Sequence, residues 1–170
     1  IAESLHAMGI VHGTLGNINK KLKFLTESLK MKHDLHGEDR DPADIAEAHL
    51  ELARASMKLR TLEGYNLAKK HYNKSFTAQK RRRDAAGPAI AVLLHETANV
   101  LVLLGKLETA ENQFKDCQTR LEGLEANADD PALRALYALQ QAVTHYQLAV
   151  ICLKRDDRER SLHHLRKSLD

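Results

Sequence analysis

The chain is poor in the residues that interrupt helices or cross-link small folds. Its 170 residues include three prolines, eight glycines, two cysteines and no tryptophan, and aromatic residues make up 4% of the total. Two cysteines that lie far apart, Cys117 and Cys152, provide no disulfide framework, and we expect both to be reduced and buried. Ala and Leu must therefore supply most of the packing, and both favour helices.

The chain also lacks an excess of either charge. Its 26 basic and 23 acidic residues give a formal charge of +3, whereas nucleic-acid-binding proteins usually carry a stronger basic bias. No apolar run approaches the roughly 18 residues that a membrane span needs. We therefore expect no nucleic-acid partner and no membrane insertion. The chain starts and stops beside periodic segments, so we expect a cytoplasmic fragment of a longer protein, from which targeting signals would be missing.

A repeat of about 45 residues organises the chain. The segment IAESLHAMG at Ile1 recurs as IAEAHLELA at Ile45 and IAVLLHETA at Ile90, and a weaker copy, QAVTHYQLA, begins at Gln141. A short turn and a second segment of helical periodicity follow each copy. This pattern predicts stacked helical hairpins and no strands.

The positions of small residues and glycines support the predicted hairpins. One position of the first helix is small in every copy: Gly9, Ala53, Ala98 and Ala149. Three glycines are predicted to lie in the turns within hairpins: Gly16, Gly64 and Gly105. Three more are predicted to end the second helices: Gly37, Gly87 and Gly123.

The third copy resembles the tetratricopeptide repeat (TPR) in Leu94, Ala98, Leu101, Gly105, Ala110 and Phe114. The segment LHGEDRDPADIAEAHLELA resembles the linker of the longer, kinesin light chain-type repeats. The resemblance covers nearly the whole chain. It implies an all-α, right-handed superhelical solenoid of about four antiparallel helix hairpins. We expect one array over residues 1–170, with repeats at approximately 1–37, 43–86, 88–124 and 131–170.

The segment His95-Glu96-Thr97-Ala98-Asn99 is one residue short of the zinc-protease signature HExxH. Zinc would require a third protein ligand, and Asn99 is a poor one. Two interpretations remain open: polar residues that face a groove, or incidental surface residues. We predict no metal site here.

Two other charged segments have structural interpretations. The segment HDLHGEDRDPAD lacks the ligand order of a calcium-binding EF-hand loop, and we expect Asp41 or Asp44 to cap the following helix. The run QKRRR could be a localisation signal or a nucleic-acid patch, but it also fits the end of a helix, where cations are favoured. No nucleophile motif, phosphate loop or cofactor motif is visible, so we predict no catalytic residues and no cofactor.

The TPR resemblance implies a concave groove lined by the first helices, where a partner peptide lies. The candidate groove residues combine apolar and polar side chains: His6, Ile10, Leu50, Arg54, Met57, His95, Glu96, Asn99, Tyr146 and Gln147. A carboxylate clamp is rejected, because no lysine accompanies Arg54 and Asn99. The adjacent asparagines of kinesin light chain grooves are also absent, which argues against the same cargo.

Three functions are compatible with these features. The first is a non-enzymatic scaffold that binds a partner peptide or domain in the groove. The second is a regulatory module that controls an effector or catalytic domain elsewhere in a longer protein. The third is a structural spacer whose ends mediate self-association.

Overall fold

The computed structural model describes residues 1–36, 41–82 and 87–169, in which eight α-helices and no strand occur. The helices are α1 (Ala2–Thr14), α2 (Ile18–His36), α3 (Pro42–Met57), α4 (Leu62–Lys80), α5 (Gly87–Leu103), α6 (Leu107–Ala126), α7 (Pro131–Lys154) and α8 (Arg158–Lys167). None of these helices is long and apolar enough to cross a membrane.

Consecutive helices pair into four hairpins that fall into two compact units. Unit 1, residues 1–85, contains the hairpins α1–α2 and α3–α4, joined through α2 and α3. Unit 2, residues 86–170, contains α5–α6 and α7–α8, joined through α6 and α7, and α5 also touches α7. The all-α hairpin architecture is confirmed. That all four hairpins form a single array stays a prediction.

The turns within the hairpins share one backbone feature, a residue in the left-handed region. Gly16 (φ 77°) and Gly105 (φ 72°) supply it in two hairpins, as predicted. In the α3–α4 turn the left-handed residue is Arg60 (φ 52°), so the prediction for Gly64 is wrong. Gly64 lies in the first turn of α4, where a Cβ atom would stand 2.8 Å from the carbonyl oxygen of Ser56. It is therefore required for close packing.

The observed helix ends agree better with the predictions from capping and charged residues than with the predictions from glycines. Asp41 caps α3, as predicted, by accepting a hydrogen bond of 2.8 Å from the backbone N–H of Ala43. The basic run after Gln79 begins where α4 ends, which also agrees with prediction.

The glycines expected to end second helices do not do so where they are described. Gly123 lies inside α6, and Gly87 is the first residue of α5; Gly37 lies outside the described residues. The helix α6 continues past Gly123 because Leu121 is buried and Leu124 lies against Gly87.

The hairpins are held together by close helix contact at small residues. Ala53, Ala98 and Ala149 are completely buried, and a Cβ atom on the equivalent Gly9 would lie 3.1 Å from the Leu25 side chain. In unit 2, Ala98 packs in a core with Ala110, Leu148 and other apolar residues. These positions admit little additional volume.

A polar contact recurs between the two helices of the first three hairpins. In each, a buried hydroxyl or thiol of the second helix donates to a carbonyl oxygen near the start of the first. The bonds are Ser28 to Ala2 (2.8 Å), Ser75 to Ala46 (2.7 Å) and Cys117 to Ala91 (3.2 Å). They fix the register between the paired helices.

A histidine pair joins the helices of the second hairpin in each unit. The Nδ1 atoms of His49 and His71 are 3.1 Å apart in unit 1, and those of His145 and His164 are 3.2 Å apart in unit 2. Burial and then Lys74 and Lys70 lower the pKa of His71 to about 4. The pKa values of His145 and His164 also fall below the ordinary value, chiefly through burial. In each pair, one ring nitrogen can donate a hydrogen bond that the other ring nitrogen accepts. Two protonated rings would both be donors, so they could not form this hydrogen bond.

Replacing Ala98 with leucine should lower the free energy of unfolding by about 1–3 kcal/mol, because the site between α5 and α6 has no room for the added methyl groups. Ala135→Leu is the matched control, since Ala135 is exposed on α7. Urea unfolding followed by circular dichroism measures both. Equal stability of the two variants would show that the helices do not depend on this close approach.

The histidine pairs should make stability fall with acidification. The folded pKa values of His71, His145 and His164 lie below the ordinary value, so the unfolded chain binds more protons as the pH falls below about 6.5, and for His71 this window extends down to about pH 4. The free energy of unfolding should therefore decrease as the pH falls through this window. The decrease should be smaller in His71→Gln, which lacks one of these groups. Urea titrations at pH 7 and pH 5 test this, and identical pH dependence in the two proteins would contradict it.

Candidate functional site

Each unit contains a cavity of about 220 Å³ between its first three helices. We call them the α1–α3 cavity and the α5–α7 cavity. The α1–α3 cavity is lined by Glu3, His6, Leu25, Ser28, Leu29, Lys32, Asp44, Glu47 and Ala48. The α5–α7 cavity is lined by Ala91, Val92, His95, Glu96, Cys117, Leu121, Leu139, Gln140, Val143 and Thr144.

The two cavities occupy equivalent places in the repeat but differ in chemistry. Where unit 1 has Glu3 and Glu47, unit 2 has Val92 and Val143. In the α1–α3 cavity Lys32 forms an ion pair with Glu3. Its lining is therefore charged and predominantly acidic, whereas the α5–α7 cavity presents a mainly apolar surface.

His95 is the principal polar group of the α5–α7 cavity. Its Nδ1 atom lies 3.3 Å from the side-chain nitrogen of Asn99, and its ring packs in a T-shaped arrangement with that of Phe114, with 5.4 Å between centroids. Burial lowers the pKa of His95, and the neighbouring Glu96 partly offsets this. The Nε2 atom is buried without a hydrogen-bond partner among the described residues. A neutral imidazole with one nitrogen unused can orient a bound polar group.

Asn99 therefore contacts His95, and the role of both residues in a binding groove stays a prediction. The described part of the chain contains no group of three His, Cys, Asp or Glu side chains arranged to hold a metal ion. Two acidic residues of the segment between α2 and α3, Glu38 and Asp39, lie outside the described residues.

Cys117 forms part of the cavity wall but is poorly suited to act as a nucleophile. It is buried, it donates to the carbonyl oxygen of Ala91, and burial raises its pKa to about 11. Reactive cysteines need a lowered pKa and access to solvent. Cys152 is also buried, and burial raises its pKa too.

Of the groove residues predicted from the sequence, His6 lines the α1–α3 cavity, and His95 and Glu96 line the α5–α7 cavity. The others lie outside both linings. Ile10, Arg54 and Tyr146 are exposed, and the half-buried ones are Leu50, Met57, Asn99 and Gln147.

The sequence prediction missed the cavity residues that come from second helices, such as Leu121 and Lys32, because it considered only first helices. It also missed Leu139, which precedes the recognised start of the fourth copy. The helical spacing of Leu139, Val143 and Tyr146 was a visible signal for it.

An exposed apolar row on α7 runs into the α5–α7 cavity. Leu136, Leu139, Val143 and Tyr146 follow helical spacing and are between 42% and 62% exposed. Leu139 and Val143 belong to both the row and the cavity. Together they form an apolar surface within unit 2 with few charged groups.

The chain matches no protein-family model, and no curated protein matches it by sequence. Solved structures do match. BtubC (BKLC) from P. vanneervenii aligns with a TM-score of 0.79 at 12% identity over 98% of this chain and 61% of that chain. The Rap conjugation gene regulator of plasmid pLS20, solved with the Phr* peptide, aligns with a TM-score of 0.68 at 16% identity over 97% of this chain and 40% of that one.

A third match comprises the nearly identical TPR-like repeats of a Podosopora anserina protein described as a kinesin light chain. Its TM-score is 0.71 at 13% identity over 98% of this chain and 72% of that one. The chain therefore has a TPR-like helical-repeat fold, which confirms the fold predicted from the repeats. It spans less than two thirds of the BtubC and Rap chains.

The buried thiol of Cys117 provides a test of the cavity wall. A shift of its pKa from 9.0 to about 11 reduces the thiolate fraction at pH 8 by roughly 100-fold. Iodoacetamide should therefore modify Cys117 at least that much more slowly in the folded protein than in 6 M guanidinium chloride, as measured by peptide mass spectrometry. Comparable rates in the two conditions would show that the wall is open at Cys117.

Proposed function

We propose that this chain is a non-enzymatic scaffold that holds a segment of a partner protein against unit 2. The partner places an aliphatic side chain in the α5–α7 cavity and lies along the apolar row of α7. The observation that carries this proposal is that Leu139 and Val143 belong both to the row and to the cavity. A recessed apolar site that opens onto an exposed apolar row suits a peptide with a hydrophobic anchor.

Burial of apolar surface would supply most of the affinity. Fully burying one aliphatic side chain contributes about 1.5–3 kcal/mol. The exposed members of the row, such as Tyr146, would add contact area, and aromatic residues are frequent anchors at interfaces.

Polar groups at the edge of the cavity would set the orientation of the partner. The Nε2 atom of His95 has no partner among the described residues but is itself buried, so a polar group of the partner would have to enter the cavity to bind it. Asn99 holds the other nitrogen of that ring and thereby fixes its orientation. Glu96, which also lines the cavity, would disfavour an acidic residue next to the anchor.

A regulatory module is the second candidate. The Rap conjugation gene regulator, a structural neighbour, was solved in complex with the Phr* peptide, and this supports peptide binding as a control signal. In that case the same cavity would bind a segment whose release or capture governs an effector domain in a longer protein. For either function we propose the cytoplasm, where two buried, unpaired thiols would stay reduced.

Replacing Val143 with aspartate should weaken partner binding by about tenfold or more, because an aliphatic anchor would meet an unpaired carboxylate. Peptides selected on the wild-type chain from a phage-displayed library provide the probes, and fluorescence anisotropy gives their Kd values. Asn99→Ala should weaken binding less than Val143→Asp does, because it removes only the contact that orients the ring of His95.

Leu162→Asp is the matched control, since Leu162 is an exposed leucine on α8 in the same unit. It should bind the selected peptides as tightly as wild type, and circular-dichroism melts should show that all variants are folded. Peptides that bind Val143→Asp and wild type equally well would refute the proposed site.

A further inference from the structure

A second cavity in unit 1, the α3–α4 cavity, belongs to none of the sites described above. It measures about 340 Å³ and lies against residues of α3 and α4. Ile45 and Ala78 provide its apolar part. His49, Thr77, Lys74 and Arg81 provide polar and charged groups.

Among the described residues, the charged side chains that line this cavity are all basic. Lys74 and Arg81 are its charged residues, both are exposed, and neither forms an ion pair with any residue in the described ranges. Lys74 lies on α4 and Arg81 is its C-cap residue, seven positions later and in helical backbone conformation, which places them on one face and about 10 Å apart along the helix. The α1–α3 cavity of the same unit is predominantly acidic, so unit 1 presents two cavities of opposite charge.

The basic residues of this region also act on a neighbouring histidine. Lys74 and Lys70 both oppose protonation of His71, which contacts the cavity residue His49. The carbonyl end of α4 contributes only about half a negative charge, which is less than the two cations along its last two turns. A helix face that contacts only solvent can also carry lysine and arginine. Such a face would not need an apolar recess between the two cations.

We propose that the α3–α4 cavity docks an acidic segment of a partner protein. One carboxylate of this segment pairs with Lys74 and another with Arg81, and an apolar side chain between them contacts Ile45 and Ala78. This site lies in unit 1 and does not depend on peptide binding in unit 2.

The spacing of the two cations defines the segment further. In the polyproline II conformation the chain has three residues per turn and advances about 3.1 Å per residue, so carboxylates three residues apart lie on one face and about 9 Å apart. The segment is therefore of the form Glu-X-X-Glu in the polyproline II conformation, with an aliphatic residue at X.

A fluorescein-labelled peptide, Gly-Ser-Glu-Leu-Leu-Glu-Ser-Gly, tests the proposal by anisotropy at 50 mM salt with the complete chain. Lys74→Glu/Arg81→Glu should weaken binding at least about tenfold, because two attractive pairs become repulsive. The control Lys20→Glu/Lys23→Glu makes the same change in charge at two exposed positions of α2. It should bind nearly as well as wild type.

A second readout separates docking from general charge attraction. Binding of the acidic peptide should raise the pKa of His71, followed by NMR, because it offsets the effect of Lys74. A peptide with adjacent glutamates, Gly-Ser-Leu-Glu-Glu-Leu-Ser-Gly, should bind more weakly. Any one of four results would overturn the proposal. These are equal binding of both peptides, equal losses in the two double variants, an unchanged pKa of His71, or no binding at millimolar peptide.

Discussion

The close approach of paired helices at small residues is the constraint on which the other features depend. Completely buried alanines, with Gly9 at the equivalent place in the first copy, leave no room for larger side chains between the helices. Because the backbones are then close, Ser28, Ser75 and Cys117 can reach carbonyl oxygens across each hairpin. The same contacts set the positions of the helices that form the walls of the α1–α3 and α5–α7 cavities.

Within the repeat, the positions that pack between helices are distinct from the positions that line the cavities. Positions that pack between helices keep small or apolar residues, whereas cavity positions change freely from Glu47 in unit 1 to Val143 in unit 2. A residue on the cavity side alters the surface offered to a partner without altering hairpin packing. This explains how one architecture can present an acidic cavity, an apolar cavity and a basic one. It also explains why the fold alone does not identify the partner.

The features that sequence predicted well are local or periodic. Hairpin number, the cap at Asp41 and the buried small residues follow from spacing and from residue chemistry. The failures involve contacts between distant residues. Gly123 looked like a helix end, but packing of Leu121 and Leu124 keeps α6 helical beyond it. The pairing of His49 with His71 depends on how two helices face each other, and no local pattern reports that.

The decisive question is whether a partner side chain enters the α5–α7 cavity. Isotope-filtered NMR on the complex with a selected peptide answers it by detecting intermolecular contacts of methyl groups. We expect nuclear Overhauser effects from the methyls of Val143, Leu139 and Leu121 to one aliphatic side chain of the peptide. Contacts confined to residues outside this cavity, with none to Val143 or Leu121, would contradict the proposed binding mode.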